Sequence, residues 1–203
     1  MEIIKINPNS PESTKIKEAA KVIKEGGVVV YPTDTAYGLA ADALNADAIG
    51  KLFIIKQRIQ KPLPVIVDSE KMLEKIAEVT TEEQKIIKKY WPGALTLIFK
   101  KKDIIQPFLT LGLPTVGVRM PDYKIAIQLV KEAGTPLTST SANISGKGNC
   151  YTPECVQRMF QGADSQPDLI MDAGELDEVP VSTVAQVEGK KVNTLREGPV
   201  KIK

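Results

Sequence analysis

Two hydrophobic rhythms alternate along the chain. Short apolar runs, continuous or with period two, are separated by longer stretches in which apolar residues recur every three or four positions. Glu2 to Ile6 reads as a short strand. "SPESTKIKEAAKVIKEGG" then predicts a helix capped by Ser10 or Ser13, with Ala19, Ala20, Val22 and Ile23 on its apolar face and Gly26 as its stop. "VVVY" is a buried strand, and "NADAIGKLFIIKQR" is a second helix capped by Asn45 or Asp47. "PLPVIV" (62–67) is a strand, and "SEKMLEKIAEV" and "TTEEQKIIKKYW" are helices with acids in the first turn. "ALTLIFK" and "TVGVRM" (115–120) are strands, and "DYKIAIQLVKEAG" is a helix stopped by Gly134. "PLTSTSA" is a strand that runs into a polar loop, and "TPECVQRMF" is a short helix. The strands "DLIMDAG", "STVAQVEG" and "KVNTLRE" close the chain, the last two joined through a turn at Gly189.

Strands alternate with helices early and give way to strand pairs late. This order predicts an α/β fold on a twisted sheet of mixed parallel and antiparallel strands, flanked by helices. The 203 residues carry no repeat and no dividing linker, so a single domain over 1–203 is expected. In such sheets ligands sit in a crevice outside the strand ends, which directs attention to the polar turns.

Composition narrows the chemistry. Histidine is absent, which excludes Ser-His-Asp and Cys-His nucleophiles, a histidine base and the commonest zinc sites. The net charge of +2 and 5% aromatic content do not by themselves imply nucleic acid. The runs "KIIKK" (85–89) and "KKK" (100–102) read as a solvated helix face and a strand end. No apolar run approaches the roughly 20 residues of a membrane span, and "MEIIKINPNS" lacks a signal pattern, so a cytoplasmic protein with no membrane contact is expected. Cys150 and Cys155 are accordingly expected as free thiols ahead of a local disulfide, and not as a metal site.

Four turns carry candidate chemistry. "PTDT" (32–35) follows the buried strand "VVVY". Lys56 and Arg58 end the second helix, either to favour its dipole or as an anion clamp. Arg119, flanked by the alternating Val116 and Val118, is expected to share their face. There it needs a partner, for which Asp34 is a candidate, or a ligand. "TSTSANISGKGN" (138–149) offers four successive hydroxyls and then Asn143, Ser145, Gly146 and Gly148, a phosphate nest or a plain serine-rich turn. Ser182 and Thr183 begin a late strand, and Arg196 ends the last. Together these suit a nucleotide and a small carboxylate better than a protein partner.

The motifs "PTDTAYGLAAD", "KQR", "KPLPVIV", "WPGALTLI", "GVRMPD", "STSANISG", "STV" and "LREG" stand in the order found in YrdC-like threonylcarbamoyl-AMP synthases. The resemblance extends from about Gly26 to Gly198. It implies a twisted α/β fold with a large open cleft, and the joining of L-threonine, bicarbonate and ATP, with Mg2+, into threonylcarbamoyl-AMP and pyrophosphate. The product serves tRNA threonylcarbamoyladenosine modification through a separate downstream transferase. By motif, Thr35, Arg119, Ser139 and Ser182 resemble threonine-binding residues. Lys56 and Arg58 resemble the catalytic cationic pair on the ATP phosphates, and Thr115, Ser141, Asn143, Asn149 and Arg196 resemble further nucleotide contacts. Ile59 stands where members often have proline, no histidine follows "PLPVIV", and 146–151 is the expected lid. Two alternatives remain: a carbamoyl-adenylate-forming YrdC-like domain that uses carbamoyl phosphate, and a double-stranded RNA or tRNA binding module.

Overall fold

The structure is a computed structural model that describes residues 1–57 and 61–202; Arg58 lies outside the described residues. The elements follow as β1 (Glu2–Lys5), α1 (Ser13–Lys24), β2 (Val29–Tyr31), β3 (Gly38–Ala40), α2 (Ala46–Lys56), β4 (Val65–Ile66), α3 (Glu70–Ile76) and β5 (Ala77–Glu78). Next come α4 (Thr81–Tyr90), β6 (Leu95–Lys101), α5 (Pro107–Thr110), β7 (Thr115–Arg119), α6 (Lys124–Ala133), β8 (Leu137–Thr138) and β9 (Thr140–Ser141). The chain closes with α7 (Pro153–Phe160), β10 (Leu169–Asp172), β11 (Thr183–Glu188) and β12 (Lys191–Arg196).

The described strands form two mixed sheets, in the orders β1-β10-β2-β3-β9 and β12-β11-β6-β7-β4-β8, with β5 added beside β6. In the first, β10 runs parallel to both β1 and β2, and β3 is antiparallel to β2 and β9. In the second, β6 is parallel to β11 and antiparallel to β7. Only Ser139 separates β8 of one sheet from β9 of the other, so this hydroxyl-rich stretch joins the two.

Caps explain most helix boundaries. Asn45 accepts from the Asp47 and Ala48 amides at the start of α2, and Thr80 with Glu83 forms a reciprocal capping box on α4. Gly134, at φ 76°, ends α6 in the left-handed conformation that favours glycine. Ser10 and Ser13 do not cap α1. Its N-cap is Glu12, whose carboxylate instead accepts from the Asn7 amide at 3.0 Å and from Lys15. The "PLPVIV" strand shortens to Val65–Ile66, as expected where Pro62 and Pro64 offer no backbone donor. Ala77 and Glu78 leave the predicted third helix to pair with Lys101 and Lys100. The core fills with Ile16, Ala19, Ala20 and Ile23 of α1, which packs on α6, and with the inner faces of both sheets.

No helix among the described residues is long and apolar enough to cross a membrane. Cys150 and Cys155 are joined in a disulfide, with Cα atoms 5.4 Å apart, which corrects the expectation of free thiols. The folded chain sets Cys150, buried just before α7, against the first turn of that helix, within bonding reach of Cys155.

Candidate active site

Both sheets contribute to a cleft of about 630 Å3, within the range of roughly 300–1,000 Å3 usual for small-molecule sites. Its walls are set by the period of two in the strands. Thr96 and Ile98 of β6, Thr115, Gly117 and Arg119 of β7, Ser182 just before β11, and Val184 and Gln186 of β11 all line it. A Cβ on Gly117 would come within 3.3 Å of Ile98 and Pro64, so glycine keeps the cleft floor open.

This alternation corrects the expected placement of Arg119. Val116 and Val118 are buried in the core with Leu97 and Phe99, although Val116 also borders the cleft, whereas Arg119 takes the odd-numbered face with Thr115 and Gly117. Arg119 is buried, and its Nε donates to the Gly93 carbonyl at 2.9 Å. Its Nη2 pairs with Asp34 Oδ2. The pairing with Asp34 is thus present, and it does not withdraw the guanidinium from the cleft.

The turn between β2 and β3 divides its work between two threonines. The buried Thr33 hydroxyl donates to the Ala36 carbonyl at 2.7 Å and accepts from the Thr35 and Ala36 amides. With that proton committed, the Thr35 hydroxyl, 3.0 Å away, is the donor between the two side chains. Its oxygen keeps acceptor capacity at the cleft wall.

Across the cleft, Arg196 grips the start of β11. Its Nε and Nη2 donate to the Ser182 carbonyl at 3.0 and 2.7 Å, and Nη2 also reaches the Ser182 hydroxyl at 3.1 Å. The Ser182 hydroxyl lies 3.0 Å from that of Thr96. Shielding of the guanidinium from water, and then the like charge of Arg119, lower the Arg196 pKa.

The hydroxyl-rich stretch reaches the cleft through Ser139, Thr140 and Ser141. Behind it, Lys56 is fully buried, and its Nζ donates to the carbonyls of Ser141 and Asn143 and to Asn143 Oδ1, at 2.6 to 3.0 Å. Asn143 Oδ1 also accepts from the Ser141 hydroxyl, and its Nδ2 donates to the carbonyls of Lys147 and Gly148. Lys56, Asn143 and Asn149 therefore do not join the described cleft wall; Lys56 and Asn143 knit the loop that carries Ser141. The expected lid over 146–151 is tied down. Asn143 holds its first half, the Tyr37 amide donates to the Cys150 carbonyl at 3.0 Å, and the disulfide anchors its end on α7.

Of the residues singled out in the sequence, the structure brings Thr35, Thr115, Arg119, Ser139, Ser141, Ser182 and Arg196 to one cleft. Sequence reasoning missed Tyr31, Lys61 and Gln186 on the same wall. Gln186 was recoverable from the period-two pattern running from Ser182, while Lys61 stood unmarked inside the "KPLPVIV" motif. Arg119, Arg196 and Lys61 give the described lining cations and no carboxylate, so the cleft suits anions.

A family model described as "Telomere recombination" and named for Sua5, YciO and YrdC matches residues 21–198. A curated threonylcarbamoyl-AMP synthase of Pyrococcus abyssi is 39% identical over 166 residues, 81% of this chain and 48% of that relative. The chain thus spans about half the length of that protein. A putative threonylcarbamoyl-AMP synthase of Methanocaldococcus jannaschii is 38% identical over 203 residues, covering 98% of this chain and 94% of its own length. A crystal structure of P. abyssi Sua5 complexed with L-threonine superposes with a TM-score of 0.91 at 36% identity, covering 98% of this chain and 58% of that one. With eight ordered motifs, their cleft and the matched span in agreement, the chain belongs to the Sua5/YciO/YrdC family.

Proposed function

We propose that the chain is an L-threonylcarbamoyladenylate synthase, which condenses L-threonine, bicarbonate and ATP for tRNA threonylcarbamoyladenosine modification. The observation that carries this reading is the cleft itself, where Arg119, Thr35, Ser139 and Ser182 adjoin Thr115, Ser141 and Arg196 on one cation-bearing surface. The likeness to relatives named threonylcarbamoyl-AMP synthase, and to a structure holding L-threonine, supports it.

The chemistry needs no protein nucleophile. The threonine amine attacks bicarbonate, forming the C–N bond of a carbamate and releasing water. A carbamate oxygen then attacks the ATP α-phosphorus, and the bond to pyrophosphate breaks. What the chain supplies is position and charge, which is the larger part of catalysis when two anions must meet. Arg119, Thr35, Ser139 and Ser182 hold the amino acid, and Thr115, Ser141 and Arg196 hold the nucleotide. Lys56 acts through the loop it braces, which sets Ser141. Arg58 completes the cationic set, and Asn143 and Asn149 belong to the same nucleotide-binding loop.

No group of three acidic, cysteine or histidine side chains able to hold a metal occurs among the described residues. The described residues thus offer no all-protein cage for Mg2+, and an ion would be held chiefly by the ATP phosphates, where it would offset their charge. Residues 1–203 act as one YrdC-like domain in the cytoplasm, and the product passes to a tRNA threonylcarbamoyl transferase. The test is mass spectrometry of products after incubation with ATP, Mg2+, bicarbonate and L-threonine. Threonylcarbamoyl-AMP is expected, with pyrophosphate release that depends on threonine; release without threonine, driven by carbamoyl phosphate, overturns the reading.

A further inference from the structure

Two tyrosines are packed beside the cleft, and their hydroxyls are treated differently. That of Tyr37 donates to the Gly174 carbonyl at 2.7 Å and accepts from the Ala173 amide at 3.1 Å. Tyr31, the last residue of β2, is wholly buried and lines the cleft, yet its hydroxyl has no hydrogen-bond partner among the described residues. Ser139 lies beside it without meeting hydrogen-bond geometry. An unpaired buried donor is rare because it forfeits its hydration and recovers nothing.

The ring is held where it is on purpose of packing. Tyr31 stands opposite Gly38 in the β2–β3 ladder, and a Cβ on Gly38 would come within 2.9 Å of the ring. Glycine thus provides the bed on which the ring lies, and the hydroxyl is fixed at the cleft.

The other described side-chain atom left buried and unpaired is Asp34 Oδ1, on the residue whose Oδ2 pairs with Arg119. Arg119 spends Nε on Gly93 and Nη2 on Asp34, and its Nη1 makes no hydrogen bond to a described residue. One neighbourhood therefore holds two unfilled donors and one unfilled acceptor. Burial raises the Tyr31 pKa, so the phenol keeps its proton and serves as a donor.

We propose that the Tyr31 hydroxyl is a specificity-determining donor that binds, together with Arg119, the carboxylate of the amino-acid substrate. The inference rests on the amino-acid-binding reading above. Asp34 already offsets the Arg119 charge, so a polyphosphate finds too little net positive charge here. An α-amino acid matches the pattern, with its carboxylate toward the two donors and its amino group toward Asp34.

The test is Tyr31→Phe, which removes the oxygen and keeps the ring. Calorimetric titrations with L-threonine, L-threoninamide and ATP are read beside the thermal midpoint of the free protein. L-Threonine affinity is expected to fall roughly ten- to hundredfold, the range for a hydrogen bond to a charged group. ATP affinity stays unchanged, and the midpoint is unchanged or higher because an unpaired hydroxyl has gone. L-Threoninamide, which lacks the carboxylate charge, loses less than L-threonine does. Unchanged L-threonine affinity, a lowered midpoint as the sole effect, or an equal loss for both ligands overturns the assignment. Failure of the unaltered protein to bind L-threonine instead overturns the functional reading on which it rests.

Discussion

The Asp34–Arg119 pair gives the most direct test of how the cleft is built. The Arg119 side chain is 5% exposed and that of Asp34 17%, so water screens the pair little. Asp34→Ala leaves a guanidinium buried with the Gly93 carbonyl as the one hydrogen-bond partner of its side chain among the described residues. Removing one partner of such a pair costs about 3–5 kcal/mol, because the remaining charge stays desolvated and uncompensated. For a chain of this size each kcal/mol moves the thermal midpoint by roughly 2–4 °C, so a fall of roughly 6–20 °C is expected. Arg119→Met also destabilises, by exposing the opposite imbalance. The double substitution Asp34→Ala with Arg119→Met is expected to cost far less than the sum, since no unpaired charge remains. Denaturant unfolding of the four proteins completes the cycle. A loss below about 1 kcal/mol for Asp34→Ala, the level of a surface pair, or strict additivity in the double substitution, refutes the reasoning.

Three further outcomes are expected. Cys155→Ser removes a cross-link across five residues of sequence separation; the chain-entropy relation gives a loss of about 2 kcal/mol for so short a loop, read by denaturation with and without dithiothreitol. Full thiol titration of the native, unreduced protein contradicts the bond. Lys56→Met strands the Ser141 and Asn143 carbonyls that Nζ now satisfies, so stability falls by about 1–3 kcal/mol and ATP affinity drops more than threonine affinity; an unaltered unfolding midpoint argues against the brace. Glu12 is held at a pKa of about 2, against 4.5, by the Lys15 side chain and the Asn7 amide. Because the folded value is the lower one, its contribution is present above pH 4.5 and is lost as pH falls toward 2. Glu12→Gln is expected to flatten the stability profile across that window, and an unchanged acid limb counts against it.

What the sequence made legible follows from how local the signal is. Caps such as Asn45 and Thr80 and the stop at Gly134 depend on a few neighbouring residues, and they stood where the pattern put them. The cap on α1 did not, because Glu12 is engaged by Asn7 and Lys15, a competition no propensity encodes. β3 was hidden, since Gly38–Ala40 is short and its partners are Val29–Tyr31 and the distant Thr140–Ser141. The motifs located most of the cleft, but the face of Arg119 was misjudged by grouping it with Val116 and Val118, which strict alternation separates. Lys56 shows the limit most clearly. From sequence it is a cation at a helix end, and only the folded loop reveals that its charge points into protein oxygens.

The cleft's cations are held in different ways, and the difference has a chemical consequence. Arg119 is fixed by a carbonyl and a carboxylate, so its charge is largely offset before any ligand arrives. Arg196 is fixed by the Ser182 carbonyl and hydroxyl, which orient the guanidinium without cancelling it. Its lowered pKa reflects the strain of holding that charge partly shielded and near Arg119. A multiply charged anion relieves this strain, whereas a zwitterion suits the already balanced Arg119–Asp34 pair. On the proposed function, the same guanidinium chemistry would give one cleft two preferences, for a polyphosphate at Arg196 and for an amino acid at Arg119. A reaction of the proposed kind, which joins an amino acid to a nucleotide, would draw on that distinction, because each substrate would then find its own end of the cleft by charge alone.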